Sequence, residues 1–559
     1  MMTLPIGLRT DIDRWLAEDP DAATREALRQ LGDRADAGDD RALAELRSAF
    51  AGPLTFGTAG LRAALGPGPA RMNRVVVGRA AAGFAAWLTG RGLRGGTVLI
   101  GYDARYNSDV FARDTAEIMA AAGFDAVLTE GPTPTPVVAF GIRHLGCVAA
   151  VVVTASHNPP NDNGYKVYLG DGSQIIPPTD AEIAAAIAAV AAGPLASVPR
   201  SEDYRRIGAD LVNAYVARAA TLVPQAAPRD VSWVYTAMHG VGAPVVQRAA
   251  AAAGFPAAVP VVEQIDPDPA FPTVPFPNPE EPGAIDLALD LARRSSVDVV
   301  IATDPDADRC AVAAPFPGPD GVPAWRMLTG DELGALLGDD ALRREVPGTF
   351  ANSVVSSTLL ARMADAHGRR FTTTLTGFKW IGRVPDLAFG YEEAIGYCCD
   401  SAFVPDKDGI TATISVLRLV SGLRASGRTV ADRLDEIART YGVHATGQLA
   451  VRVADLTIIG DAMARLRAHP PRQLAGRPVE VRDLQAGGDL PPTDAVELSG
   501  EWVHVVARPS GTEPKLKCYL EARVSQDASA DDLAAARLSA ATTLAHLRTE
   551  MATALGVAA

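Results

Sequence analysis

The chain has 559 residues, of which 48% are apolar and 21% charged, so it can bury several cores and is not a disordered chain. Its formal charge of −14 argues against a general binder of nucleic acid or anionic membranes, and an anionic substrate would have to meet cations gathered locally. Five cysteines, odd in number and without metal-ligand spacing, fit a reduced compartment. With no basic-then-apolar leader pattern and no apolar run of about 18 residues, the expectation is a cytoplasmic protein without a membrane span.

Residues 9–50 read as helices, with Trp15, Leu28, Leu31, Leu43 and Leu46 on their apolar faces. Thr55 to Arg62 then gives a glycine- and threonine-rich turn, with Arg62 as an anion contact or simply a solvated arginine. From Val76, helices alternate with strands at Val98–Tyr102, Ala126–Thr129 and 148–153. This βαβ pattern implies a mostly parallel sheet. The run Thr154-Ala155-Ser156-His157-Asn158-Pro159-Pro160 ends it, placing Ser156 just past a buried strand, where open α/β sheets hold their active sites. Taken alone, the run is also an ordinary turn. A second alternating block begins near Val231, crosses an irregular proline-rich stretch at 266–282 and ends its strand 298–303 at Asp304-Pro305-Asp306-Ala307-Asp308-Arg309. A third starts after Thr329-Gly330-Asp331-Glu332 and carries Lys379 and Glu392-Glu393-Ala394. The last block, with short strands and a C-terminal helix, reads as α+β. The expected fold is therefore α/β: three similar mixed domains (1–210, 211–325 and 326–440) and a C-terminal α+β domain (441–559), with the active site in a central cleft.

Asp304, Asp306 and Asp308 sit at i, i+2 and i+4, and Pro305 opposes a helix there, so in an extended loop the three carboxylates converge. Clustered negative charge calls for a cation, and all-oxygen ligands suit a hard ion such as Mg²⁺. An EF-hand is excluded, because its glycine and glutamate positions hold Arg309 and Pro315. Arg508, Ser510, Gly511 and Thr512 lie in a tight turn with a guanidinium, hydroxyls and backbone N–H groups, a composition that cradles phosphate or makes a hairpin. Glu392 can accept hydrogen bonds from a diol, and Lys379 can hold an anion, although both types are often merely solvated.

These motifs, in this order, resemble the α-D-phosphohexomutase superfamily of phosphoglucomutases and phosphomannomutases over nearly the whole chain. The likeness is strongest to the long branch that includes phosphoglucomutase-2-like enzymes and phosphopentomutases, which share Phe-Gly-Thr-Ala-Gly-Leu-Arg and Glu-Glu-Ala-Ile-Gly-Tyr. The resemblance implies a phosphoserine at Ser156 and one Mg²⁺ held by Asp304, Asp306, Asp308 and a phosphoserine oxygen. It implies transition-state or proton-transfer roles for His157, Lys166, Arg62 and Arg309. Sugar contacts would come from Lys379, Glu392 and the Ala394 position, and phosphate contacts from Arg508, Ser510, Gly511 and Thr512. Many family members carry serine where Ala394 stands, which bears on sugar choice. The implied reaction converts a sugar 1-phosphate into its 6-phosphate through a bisphosphate, with a sugar bisphosphate such as glucose 1,6-bisphosphate as activator. Glucose is the first expectation, and phosphopentomutase and phosphomannomutase are the alternatives. More distant are a serine-dependent metallophosphatase and a non-catalytic sugar-phosphate sensor. Expected partners are small sugar phosphates, not nucleic acid or membrane, with the protein a monomer or homodimer.

Overall fold

The computed structural model describes residues 4–318, 322–453, 455, 457–510, 515–525 and 533–558. The chain divides into two compact units, 1–311 with 400–417, and 312–399 with 418–559.

In the first unit three helices, Ile6–Glu18, Ala22–Asp36 and Asp40–Ala49, bury Trp15, Leu28, Leu31, Leu43 and Leu46 together, as their spacing predicts. A six-stranded sheet follows. Strands Thr97–Tyr102, Asp125–Thr129, Ala149–Val153 and Arg205–Ile207 run parallel. Two more, Asp162–Leu169 and Leu61–Ala64, join antiparallel beyond Ala149–Val153 and make the sheet mixed. Neither was legible as a strand: Leu61–Ala64 is only four residues with Arg62 in it, and polar residues and Gly164 interrupt Asp162–Leu169. Every residue of Ala149–Val153 is fully buried, which explains its unbroken apolar run. Phe84, Phe111 and Ile100 pack with it into the core. In the second block, Trp233–Thr236 pairs parallel with both Val259–Pro260 and Val299–Thr303.

The segment 400–417 belongs to this unit although it falls within the third block in sequence. Arg218 forks onto Asp400 at 2.7 Å, Arg143 donates to the carbonyls of Ser401 and Ala402, and Tyr215 donates to Asp408. Asp408 also accepts the amides of Ile410 and Thr411, so it caps the helix Gly409–Ala425.

In the second unit Thr349–Ser353 lies between the parallel strands Arg370–Thr374 and Leu387–Glu392, and Gly396–Cys398 completes the sheet antiparallel. The final block is a five-stranded antiparallel sheet: Val443–Arg452, Lys515–Val524, Val503–Pro509, Val496–Ser499 and Glu480–Asp483 in order. Helices Thr457–Ala468 and Leu533–Leu555 pack on it through Met463, Leu466, Leu547 and Met551. The α/β reading with a distinct α+β block therefore holds.

Asp408 is 1% exposed, and burial pushes its carboxyl up to about 6. Because the folded state binds this proton more tightly than the unfolded one, the stabilisation is complete below about pH 4 and is lost as pH rises through about 6. Asp408→Asn keeps an oxygen for the cap and for Tyr215 but cannot ionise. Its stability relative to the wild type should rise by on the order of 2–3 kcal/mol between pH 4 and 7 in paired thermal melts, and parallel curves would contradict this assignment.

Candidate active site

Ser156 sits immediately beyond Ala149–Val153 with φ = 51°, a left-handed conformation unusual for serine. Its amide donates to Thr154 Oγ1 (2.8 Å), and its hydroxyl donates to Asp304 Oδ2 (2.7 Å). His157 Nδ1 lies 3.3 Å from the same hydroxyl. Two strand ends in the first unit thus meet: the serine from one sheet and the aspartate loop that follows Val299–Thr303 from the other.

The aspartate loop is a tight turn rather than the extended segment expected. Ala307 is left-handed at φ = 56° and its amide closes onto the Asp304 carbonyl, so the turn, not strand-like alternation, makes the side chains converge. Asp304, Asp306 and Asp308 are each at most 1% exposed, and one oxygen from each falls within 4.8 Å of the others. Lys166, on the unanticipated strand Asp162–Leu169, donates to Asp306 Oδ2 (2.7 Å) and Asp308 Oδ2 (2.9 Å). Thr135 donates its hydroxyl to Asp306 Oδ2 at 2.6 Å, and the Arg309 amide donates to Asp304 Oδ1 at 3.0 Å. Arg309 Nε stands 3.9 Å from Asp308 Oδ1. Arg62 reaches the serine loop through Asn158 Oδ1 at 3.0 Å.

Burial alone would raise all three carboxyls. It succeeds at Asp304, aided by repulsion from Asp306 and Asp308, and this carboxyl stands well above its usual range. At Asp306 burial and the Asp308 charge lose to Lys166, and at Asp308 burial loses to Lys166, Lys407 and Arg309, so both carboxyls are held low. His157 is held well below its usual value by burial, then by Arg309 and Arg62, and is a neutral imidazole. Oδ1 of Asp306 and Oδ1 of Asp308 are buried with no hydrogen-bond donor among the described residues. Two orphaned carboxylate oxygens, with the Asp304 carboxylate beside them, are a donor set that fits a hard divalent cation.

Two contributors escaped the sequence reading. Lys407 is 8% exposed and lies 3.4 Å from Asp308 Oδ2 and 3.6 Å from Asp406 Oδ1. Asp-Lys-Asp-Gly at 406–409 looks like a solvated charged turn, and only the docking of 400–417 buries it. Arg105, beyond Thr97–Tyr102, lies under the serine loop; a charged residue three places past a buried strand was the available signal. Close approach is also built in. A Cβ on Gly409 would lie 2.3 Å from the Arg309 carbonyl oxygen, and one on Gly240 would lie 2.3 Å from Pro305 Cα.

The remaining expected residues lie in the second unit. Glu392 ends its strand buried at 7% exposure, while Glu393 accepts from Ser353 (3.1 Å) and Ser356 (3.2 Å). Ala394 opens the turn to Gly396–Cys398, and Lys379 lies on the short helix Phe378–Ile381. Arg508 pairs in register with Lys517, and the Ser510 amide donates to the Lys515 carbonyl at 2.8 Å. Gly511 and Thr512 lie outside the described residues.

Models of the phosphoglucomutase/phosphomannomutase α/β/α domains I, II and III match residues 53–193, 213–315 and 329–441, and that of the C-terminal domain matches 449–539. A Haemophilus influenzae protein with a provisional phosphomannomutase assignment is 47% identical, covering 82% of this chain and 95% of the relative. Human phosphopentomutase is 35% identical, covering 91% of this chain and 90% of its own. The solved structure of a Thermus thermophilus protein with a provisional phosphomannomutase assignment superposes with a TM-score of 0.67 at 26% identity, covering 88% of this chain and 99% of that one.

Gly240→Ala and Gly409→Ala each force a methyl group against the aspartate loop. Each should cost about 1–3 kcal/mol in thermal or denaturant unfolding, and unchanged stability would mean that the close packing is not maintained in solution.

Proposed function

The chain belongs to the phosphoglucomutase/phosphomannomutase family, whose members are sugar-phosphate mutases, and we propose that Ser156 carries the phosphoryl group this chain transfers. The observation that carries the reading is Ser156 Oγ, placed 2.7 Å from a buried three-carboxylate turn with two orphaned oxygens. In this reading a sugar hydroxyl attacks the phosphorus of phosphoserine. The phosphorus–Oγ bond breaks, the new phosphate ester forms and the hydroxyl proton passes to a nearby base. The bisphosphate turns over, and its other phosphoryl group returns to Oγ by the same steps in reverse.

Asp304, Asp306 and Asp308, with a phosphoserine oxygen, would hold Mg²⁺. The bound ion supplies neutralisation of charge on the transferring group. Lys166 is engaged by two carboxylates which, against its burial, raise its affinity for its proton, so it serves as a fixed positive charge. Neutral His157, 3.3 Å from Oγ, is the better-placed proton acceptor. Arg62 and Arg309 supply positive charge to the phosphoryl group. In the second unit Glu392 reads sugar hydroxyls, Lys379 assists in holding the anionic substrate, and Arg508, Ser510, Gly511 and Thr512 hold the phosphate that is not reacting.

The proposed substrate is a hexose monophosphate. Glucose is the first expectation, and the 47% identical relative, which carries a phosphomannomutase assignment, supports the mannose alternative beside it. The pentose reading is supported by 35% identity to human phosphopentomutase over 91% of this chain. A sugar bisphosphate is proposed as the activator and the cytoplasm as the location.

Glucose 1-phosphate, mannose 1-phosphate and ribose 1-phosphate should be compared with Mg²⁺ and a trace of glucose 1,6-bisphosphate. Turnover of a hexose substrate at least about tenfold above ribose is expected, and the reverse would move the protein to pentose phosphates. Ser156→Ala should lose at least about 10³-fold in activity and acquire no phosphate by mass spectrometry; retained turnover would remove Ser156 from the reaction. Chelation by EDTA should abolish turnover and Mg²⁺ should restore it, whereas full activity in the chelator would sink the metal assignment.

A further inference from the structure

Ser156 is left-handed at φ = 51°, and the side chain beneath it explains what keeps it so. Arg105 is 4% exposed, and its two guanidinium Nη atoms donate to backbone carbonyls between Ser156 and Asp162. Nη2 reaches Ser156 O and Asn158 O, both at 2.6 Å, while Nη1 reaches Pro159 O at 2.8 Å and Asp162 O at 3.2 Å. One planar fork thus fixes four carbonyls across seven residues, a pattern that an ammonium with three donors on a flexible stem does not reproduce. Asp103 Oδ2, 3.4 Å from Arg105 Nε, orients the guanidinium from behind, and the Arg105 amide donates to Asp103 Oδ1 at 3.0 Å.

The exposed face of that fork is closed by the other α/β block of the same unit. The Phe271 ring stacks over the guanidinium at 4.8 Å and is itself 3% exposed. Phe271 lies in the proline-rich stretch and is also left-handed, at φ = 47°. Its position is set by a turn at 238–239 in which Met238 and His239 are both left-handed. The Asp268 amide donates to the His239 carbonyl (3.1 Å), and His239 Nε2 pairs with Thr273 Oγ1 (2.8 Å), which also accepts from Gln264 Nε2 (2.9 Å). The proline-rich stretch, which the sequence left without a role, thus carries one aromatic ring to the underside of the serine loop.

We propose that Arg105 is the positioning residue that holds the Ser156 hydroxyl in line for phosphoryl transfer, with Phe271 as the plate that keeps its guanidinium flat against the loop carbonyls. This rests on the mutase reading for its kinetic part and on geometry alone for its structural part. The Arg105 guanidinium is taken up by the loop carbonyls and Asp103, so it acts through the backbone of Ser156. Its loss should therefore slow the chemical step without weakening the binding of sugar phosphate.

The test uses the full chain carrying Arg105→Met, Arg105→Lys, Phe271→Leu or Phe271→Tyr, with two measurements. Hydrogen exchange without substrate should show amides of 155–162 exchanging at least about tenfold faster in both Arg105 variants, with Ala149–Val153 unchanged. Phe271→Leu should show a smaller effect, and Phe271→Tyr, which keeps the ring, should match the wild type. In turnover assays Arg105→Met should lose about 100-fold in kcat with KM within about twofold. Should Arg105→Met fail to fold, Arg105→Lys and the Phe271 pair decide the matter by the same readings. Wild-type exchange across 155–162 in Arg105→Lys, or a loss that falls on KM with kcat retained, would overturn the proposal. A wild-type protein inert toward every sugar phosphate would fail the mutase reading, while the exchange comparison would still decide what Arg105 does to the loop.

Discussion

Like charges buried at short range repel strongly, and the site in the first unit is built around that cost. Oxygens of Asp304, Asp306 and Asp308 lie within 4.8 Å of one another, where two unit charges repel by about 3 kcal/mol even at an effective dielectric of 20. Such a turn persists only if positive charge reaches it from several directions. Lys166 arrives on an antiparallel strand added to an otherwise parallel sheet, Arg309 is the next residue in the turn, and Lys407 returns from a segment encoded within the third block. The oddities of the fold at this point are the routes by which these cations arrive.

The compensation is incomplete in an informative way. Lys166 and Lys407 satisfy one side of Asp306 and Asp308, but their Oδ1 atoms stay without a donor among the described residues, and the carboxyl of Asp304 stands above its usual range. A protein interior seldom leaves such groups unpaired without a use for them. Backbone strain is concentrated in the same place. Ser156, Ala307 and His239 are all left-handed without being glycine, and each is held by hydrogen bonds to its neighbours. The site is therefore stiff in its backbone and undersupplied in its charge, the combination a phosphoryl-transfer centre needs.

Much of this was legible in the sequence because it rests on local signals. The unbroken apolar run 148–153 announced a buried strand, and the abrupt change at Thr154 announced its end. Three aspartates at alternate positions announced convergence, although the geometry that achieves it is a turn around Ala307. What stayed hidden depends on contacts between distant residues. Leu61–Ala64 and Asp162–Leu169 have no strand-like pattern of their own and exist because they pair with each other. Lys407 reads as a surface charge because nothing nearby in sequence reveals that Asp406 and Asp408 accept from Tyr168 and Tyr215. Arg105 showed its place just past a buried strand but not its role, because its partners are backbone carbonyls, which carry no residue identity to read.

The return of 400–417 also bears on how the molecule is made. On the ribosome Asp308 emerges about a hundred residues before Lys407, a delay of roughly 5–20 s at ordinary elongation rates. During that interval the nascent first unit has its serine loop and its aspartate turn but lacks one counter-charge, the cap at Asp408 and the glycine that closes over Arg309. Its N-terminal part is thus not a free-standing module that evolution or an engineer can cut at residue 311 and transplant. The last tile of the first unit is encoded after most of the third block, so completion of the centre is timed by translation of its neighbour.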